Sequence, residues 1–338
     1  MRFEVTRCFD ALLGGGRRAV LNRVGLAALI VVTLTATGSS ADSLFDEGVR
    51  AEMLKHRDGR VAHVESEYND IFVDKRGQFL AMSTRFKADR YIESMINLKD
   101  PDDLRGQYTQ RMPVGLLYPE AIRRILMIGL GAGVVSTYLG RAMPDVQIDI
   151  VELDPGVIAA ARKYFGVQET DRVHIIESDG RVYLNRHKEP YDLILLDAYR
   201  ELGIPFHLLT KEFYLLLKER LAPGGAAALN IYGGTKLYAS TLVTLRAVFP
   251  TVDVYPVFET REGTQVILVA APTPAPSTES LMKRAVALQA QHQFRFPLPS
   301  LVTGRDADRK AAGGELLTDD FAPVGLYETT SLRPGNRR

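Results

Sequence analysis

The stretch RRILMIGLGAGVVSTYLGRAMPDVQIDIVELD, Arg123 to Asp154, decides the fold. Arg124 to Ile128 is a short unbroken apolar run, the pattern of a strand buried on both faces. Gly129, Gly131 and Gly133 follow at once, and glycines there make a tight turn and let the backbone approach a ligand closely. The pattern predicts a helix from near Val134, whose N-terminus offers free N–H groups and a positive dipole end. Val146 to Val151 reads as a second strand ending in Glu152, an acid about 20 residues past the glycines. Strand, glycines, helix, strand and acid in this order form the pattern of a nucleoside-binding β-α-β unit, with Glu152 on the ribose hydroxyls. For the glycines alone, an ordinary helix–strand turn is the plainer alternative.

Working outward, Asp154-Pro155 starts a helix as N-cap and first helical residue, and Gly166 closes it. Val173 to Glu177 is the next strand, ending at Asp179-Gly180, and Tyr191 to Leu196 is another, ending at Asp197. Thr210 caps the helix TKEFYLLLKERL, Pro223-Gly224-Gly225 is expected to turn the chain, and Ala226 to Ile231 is a further strand. After a helix to about Phe249, Val252 to Phe258 and Gln265 to Ala270 flank Glu262-Gly263 as an antiparallel hairpin. Strands alternating with helices imply an α/β fold with a doubly wound, mostly parallel sheet that ends in an antiparallel hairpin, Rossmann-like and of the methyltransferase kind. Upstream, VAHVESE, NDIFVDK and QFLAMS, between Val61 and Ser83, predict a small antiparallel β-domain. The expected division is an export signal or anchor at 1–42, the β-domain with its lead-in at 43–112, the nucleoside-binding domain at 113–272, and linker, helix and tail at 273–338.

The chain is 46% hydrophobic and 25% charged, with a net charge of +1 and scattered Lys and Arg, so it has no electrostatic footprint for nucleic acid. One cysteine, Cys8, excludes an internal disulfide and a cysteine-rich metal site. The six histidines are dispersed without metal-ligand spacing, and no metal is expected. Arg17, Arg18 and Arg23 precede the apolar run Val24 to Leu34, and Gly38-Ser39-Ser40-Ala41 supplies small residues for cleavage after Ala41. This is the plan of an export signal, with membrane contact only through the N-terminal segment. Initiation near Met53 would instead leave a cytoplasmic protein.

Together the motifs resemble the spermidine synthase family, the polyamine aminopropyltransferases, especially its spermidine-synthase-like branch. The residues that carry this are SEYNDIFV (Ser66 to Val73), LMIGLGAG, VELDPGVIAAARKYFG, ESDGRVYL, YDLILLDAY, IPFHLLTKEFY, LAPGG and LTDDFAPV, spanning about Val61 to Val324. The resemblance implies an adenosyl-sulfonium co-substrate, decarboxylated S-adenosylmethionine or S-adenosylmethionine, with no permanently bound cofactor. It implies Glu152 on the ribose, Asp179 and Gly180 beside the adenine and Asp197 at the reacting centre. It also implies a small amine such as putrescine as acceptor, and is compatible with a homodimer. Two positions depart from the family. The family's first turn resembles GGGDGG where this chain has Ala132, and its DSSDP after the fourth strand is DAYRE here, with Arg200 at the second acid. Glu201, Asp319 and Asp320 are candidates to replace that acid. The family's YHE histidine is missing if Tyr108-Thr109-Gln110 is the counterpart.

Sheet topology argues the same placement, because ligands of open parallel sheets lie outside the carboxyl ends of the strands, where Glu152, Asp179 and Asp197 stand. Aminopropyl transfer needs a neutral amine held in line with the carbon beside the sulfonium, yet an amine of pKa about 10 is protonated near neutral pH. Asp197 can bind that ammonium, orient it and take its proton, with Tyr199 as candidate helper. Two other functions fit the same sheet: an S-adenosylmethionine-dependent methyltransferase, and a non-catalytic nucleoside- or partner-binding exported protein.

Overall fold

A computed structural model describes residues 44–86, 89–199, 203–233, 235–259, 264–323 and 325–326. The expected export segment, Arg200, Glu201, Glu262-Gly263, Val324 and the tail beyond Leu326 lie outside these residues. Leu44 and Phe45 are buried, and Phe45 bridges to Val167. Asp46 caps α1 (Glu47–Lys55), its side chain accepting from the Gly48 and Val49 N–H groups.

Four antiparallel strands follow in chain order: β1 (Gly59–Glu65), β2 (Asp70–Arg76), β3 (Phe79–Phe86) and β4 (Asp89–Asn97). Ile71, Val73, Leu80, Met82 and Ile96 turn one apolar face of this sheet into the main core. The sequence reading contains neither α1 nor β4. In β4 the two-residue alternation is broken by a bulge: Met82 pairs with Ser94 and Ser83 with Ile92, which leaves Glu93 as the extra residue.

From β4 the chain passes through α2 (Gln107–Arg111) and a 3-10 turn, Met112–Leu117, into the large sheet. Its strands are β5 (Arg124–Ile128), β6 (Gln147–Glu152), β7 (Val173–Glu177), β8 (Tyr191–Leu196), β9 (Leu221–Gly233), β10 (Thr251–Glu259) and β11 (Thr264–Ala271). They lie in the order β10-β11-β9-β8-β5-β6-β7, with β9, β8, β5, β6 and β7 parallel and β11 and β10 antiparallel. This is the doubly wound sheet with a terminal antiparallel hairpin. The helices α3 (Val134–Ala142) and α4 (Pro155–Phe165) bury their apolar stripes on one face. Opposite them lie α5 (Gly180–Arg186), α6 (Lys211–Arg220) and α7 (Thr235–Arg246). The connecting helix α8 (Thr278–His292) and the short α9 (Leu298–Val302) add to the first face.

One expected turn is absent. Pro223 to Gly225 does not precede β9 but lies within it: Tyr191 pairs with Leu221 and Leu193 with Ala226, so the intervening residues bulge out of the ladder, with Gly224 at φ +77°.

The small sheet is fastened to the large one by polar contacts as well as by the shared core. Asp154 caps α4, its Oδ1 accepting from Gly156 N–H at 2.7 Å. Its Oδ2 accepts from Ser66 Oγ at 2.7 Å and Asn69 Nδ2 at 2.8 Å, across the interface. Asp154 is only 1% exposed, so these bonds replace the water it gives up.

Candidate active site

The site is built at the carboxyl ends of β5, β6 and β8, and its first part is the glycine turn. Gly129 has φ +102°, and a Cβ there would lie 2.2 Å from the carbonyl oxygen of Asp197, so no side chain fits. Gly131, at φ +52°, faces Ser94 of β4, whose Oγ would lie 2.7 Å from an added Cβ. Gly133, at φ +72°, is the N-cap of α3 and supplies no side-chain cap, which leaves the first-turn N–H groups of that helix without one. Glu152 holds the turn in place: Oε2 accepts from Leu130 N–H at 2.9 Å and Oε1 from Asp154 N–H at 2.9 Å. Each oxygen keeps lone-pair capacity for a ribose hydroxyl. Burial raises the Glu152 pKa above its ordinary value, opposed by the backbone N–H groups of Asp154, Leu130 and Leu153.

Asp179 is the N-cap of α5, with Oδ1 accepting from Arg181 and Val182 N–H groups at 2.9 Å each. His207 Nε2 lies 2.8 Å from its Oδ2, a pairing that sequence spacing did not reveal. Burial pushes this carboxyl up, but the His207 contact and the helix N–H groups outweigh it and leave the pKa lowered. Gly180 opens α5 packed against Ile128, where a Cβ would lie 2.5 Å from Cγ2. Asp319 is not a substitute acid for the amine. Its carboxylate is clamped by Arg181 at 2.7 and 2.6 Å and accepts from Thr210 Oγ1 at 2.7 Å, and the Arg181 bond first of all lowers its pKa. The LTDD segment therefore ties α5 to α6. Asp320 is exposed.

Asp197 follows β8, its N–H donating to Ile128 O at 2.8 Å. Its Oδ1 accepts from Asn230 Nδ2 at 2.8 Å, and the Asn230 Oδ1 accepts from Gln265 Nε2 at 3.0 Å. Burial pushes the Asp197 carboxyl up to about 6, against the lowering effect of Asn230. Tyr199 donates its hydroxyl proton to Asn230 O at 2.6 Å, which makes it a positioning residue for the same asparagine. Burial and the Asp197 charge keep that phenol protonated. Tyr108 of α2 donates to Glu93 O at 2.9 Å, and its phenol is raised by burial and by the charges of Asp197 and Glu93.

Sequence reasoning missed Glu93, Asn230, Gln265 and His207. Glu93 Oε1 accepts from Thr84 Oγ1 at 2.6 Å, and burial, together with the charges of Glu152, Asp197 and Asp154, pushes it up to about 7 against the Thr84 bond. Among the described residues, none of Glu93, Glu152 and Asp197 is ion-paired with Lys, Arg or His. The three carboxyls thus line a site of negative potential suited to a cationic ligand. On the small sheet the ligand atoms of His63, Glu65 and Asp70 lie within 4.8 Å of one another, and His63 is paired with Asp70.

Residues 111–262 match the family model described as the spermine/spermidine synthase domain. The polyamine aminopropyltransferase of Vibrio vulnificus is 34% identical over 274 residues, covering 78% of this chain and 90% of that protein. The chain belongs to this family. A second relative, the polyamine aminopropyltransferase of Chromobacterium violaceum, is 32% identical over 207 residues, covering 61% of this chain and 79% of that one. Among solved structures, a probable spermidine synthase from Corynebacterium glutamicum shares the fold, with a TM-score of 0.60, 22% identity and coverage of 78% of this chain and 98% of that chain. Like its relatives, the protein is an enzyme, a transferase. Against the family pattern, Ala132 is 1% exposed and packs in the main core, so a carboxylate at that position would be desolvated rather than presented to a ligand.

Proposed function

We propose that the protein transfers an aminopropyl group from decarboxylated S-adenosylmethionine to a small amine such as putrescine. The observation that carries this is Asp197: a carboxyl raised to about 6, fixed through Oδ1 by Asn230 at 2.8 Å, beside the glycine turn and, among the described residues, without a paired cation. Glu152 would hold the ribose hydroxyls and the Asp179–Gly180 turn would flank the adenine. The acceptor ammonium binds at Asp197 and gives up its proton there. The amine lone pair then attacks the carbon beside the sulfonium, the C–S bond breaks, and sulfur leaves with the electron pair as methylthioadenosine. The product leaves as the secondary ammonium, and Asp197 returns the proton it took to water, which restores the carboxylate.

The test is product analysis with each donor and putrescine. Methylthioadenosine and an aminopropylated amine are expected from the decarboxylated donor. Formation of S-adenosylhomocysteine from S-adenosylmethionine instead would establish methyl transfer.

For location, the pattern Arg17 to Ala41 supports export or attachment through the N-terminal segment. Leu44 and Phe45, 3% and 4% exposed, support a folded chain that starts before them and not at Met53, which lies inside α1. Sequencing the N-terminus of native protein tests this, with a start near Asp42 expected.

A further inference from the structure

We infer that Glu93 selects the donor, favouring a sulfonium whose tail ends in an ammonium over one that also carries a carboxylate. This rests on the aminopropyl-transfer reading and adds to it the residue that enforces donor choice.

The bulge is what brings Glu93 to the site. In a regular strand successive side chains alternate between faces, but here Ile92 and Met95 pack together on the far face with Ala81, while Ile96 joins the main core. Two consecutive residues, Glu93 and Ser94, therefore stand between them on the core-facing side, one being the extra residue of the bulge. Ser94 meets the glycine turn at Gly131, on the donor side of the site. Glu93 is held by Thr84 Oγ1 at 2.6 Å and lies where the charges of Glu152, Asp154 and Asp197 all act on it. It thus acts on the same site as the acid assigned to the ribose and the acid assigned to the reacting carbon, the site that the tail of a sulfonium donor must approach.

Charge decides which tail fits. Asp154 is committed to Ser66, Asn69 and Gly156, whereas Glu93, Glu152 and Asp197 have no paired cation among the described residues. Adding a ligand carboxylate to these three would be repulsive, and adding an ammonium would relieve their mutual repulsion. The glycine turn cannot perform this selection, since Ala132 is apolar and buried. Among the described residues, the groups facing Glu93 are Thr84 from β3, Tyr108 from α2, Glu152 and Asp154 from the end of β6, and Asp197 after β8. None of these is a cation, so a bound ammonium should draw the proton from Glu93 and release it to solvent.

The experiment is calorimetry of the full chain and its Glu93→Gln and Glu93→Asp variants with decarboxylated S-adenosylmethionine, S-adenosylmethionine and methylthioadenosine, in two buffers of different ionisation enthalpy. Glu93→Gln can still accept the Thr84 bond but carries no charge. Its preference for the decarboxylated donor over S-adenosylmethionine should shrink about 10- to 100-fold, with proton release lost and methylthioadenosine affinity unchanged. Glu93→Asp should recover part of the preference. An unchanged preference in Glu93→Gln overturns the assignment of Glu93 while leaving aminopropyl transfer standing if the wild type still forms methylthioadenosine. A wild type that binds S-adenosylmethionine more tightly overturns both.

Discussion

Asn230 Nδ2 donates to Asp197 Oδ1 at 2.8 Å, and because Gln265 of β11 donates to the amide oxygen of Asn230, the asparagine cannot turn around without losing both bonds. The antiparallel edge hairpin therefore helps fix the acid at the tip of β8. Replacing Asp197 by Asn keeps size but removes the charge that binds the ammonium and takes its proton. Turnover should fall by roughly 10²–10⁴. Methylthioadenosine should bind as before, and a variant with undiminished turnover would end the catalytic assignment.

Asn230→Ala removes the bond that opposes the upward shift of Asp197. The acid limb of the pH–rate profile, expected near pH 6 from that carboxyl, should move to higher pH, and turnover below the limb should drop most. A profile that falls uniformly at all pH values would mean Asn230 acts only on packing.

Glu152→Ala should weaken methylthioadenosine binding, since hydrogen bonds to a charged group contribute about 1.5–3 kcal/mol each. The Leu130 and Asp154 N–H groups would lose their acceptor as well, so thermal stability should fall in the same variant. Calorimetry showing wild-type affinity would remove the ribose assignment.

Asp154→Ala leaves Ser66, Asn69 and Gly156 without their shared acceptor at the junction of the two sheets. With the residue 1% exposed, a loss on the order of 2–4 kcal/mol in urea unfolding is expected. A loss below half a kcal/mol, on the order of a surface change, would show that the apolar interface alone joins the sheets.

The ligand-free protein should lose stability as pH rises. Glu93 and Asp197 have folded pKa values raised to about 7 and about 6, so their protons are held more tightly when folded. Their contribution is full below the unfolded values near 4 and disappears as pH climbs through 6 to 7. Asp179 and Asp319 are lowered and act oppositely, losing their contribution only below pH about 4. Urea midpoints of wild type should therefore decline from pH 5 to pH 8, and Glu93→Gln should flatten the decline. Parallel slopes in the two proteins would contradict the raised Glu93 pKa.

The sequence by itself determined the large sheet and the order of its elements. Short apolar runs such as Arg124 to Ile128 and Tyr191 to Leu196, closed by turn residues, read as buried strands, glycines after the first strand permit a tight turn, and Asp154, Asp179 and Thr210 cap helices by local chemistry. It also placed Glu152, Asp179 and Asp197 at strand ends, because side chains at those ends follow from topology. Only the tertiary structure decided what surrounds them. Glu93 reaches the site through a bulge that breaks the two-residue alternation, Asn230 meets Asp197 from a later strand and is itself held by Gln265, and Arg181 claims Asp319 across 138 residues. Such contacts depend on register and on which strands become neighbours, and a local pattern of residues carries neither.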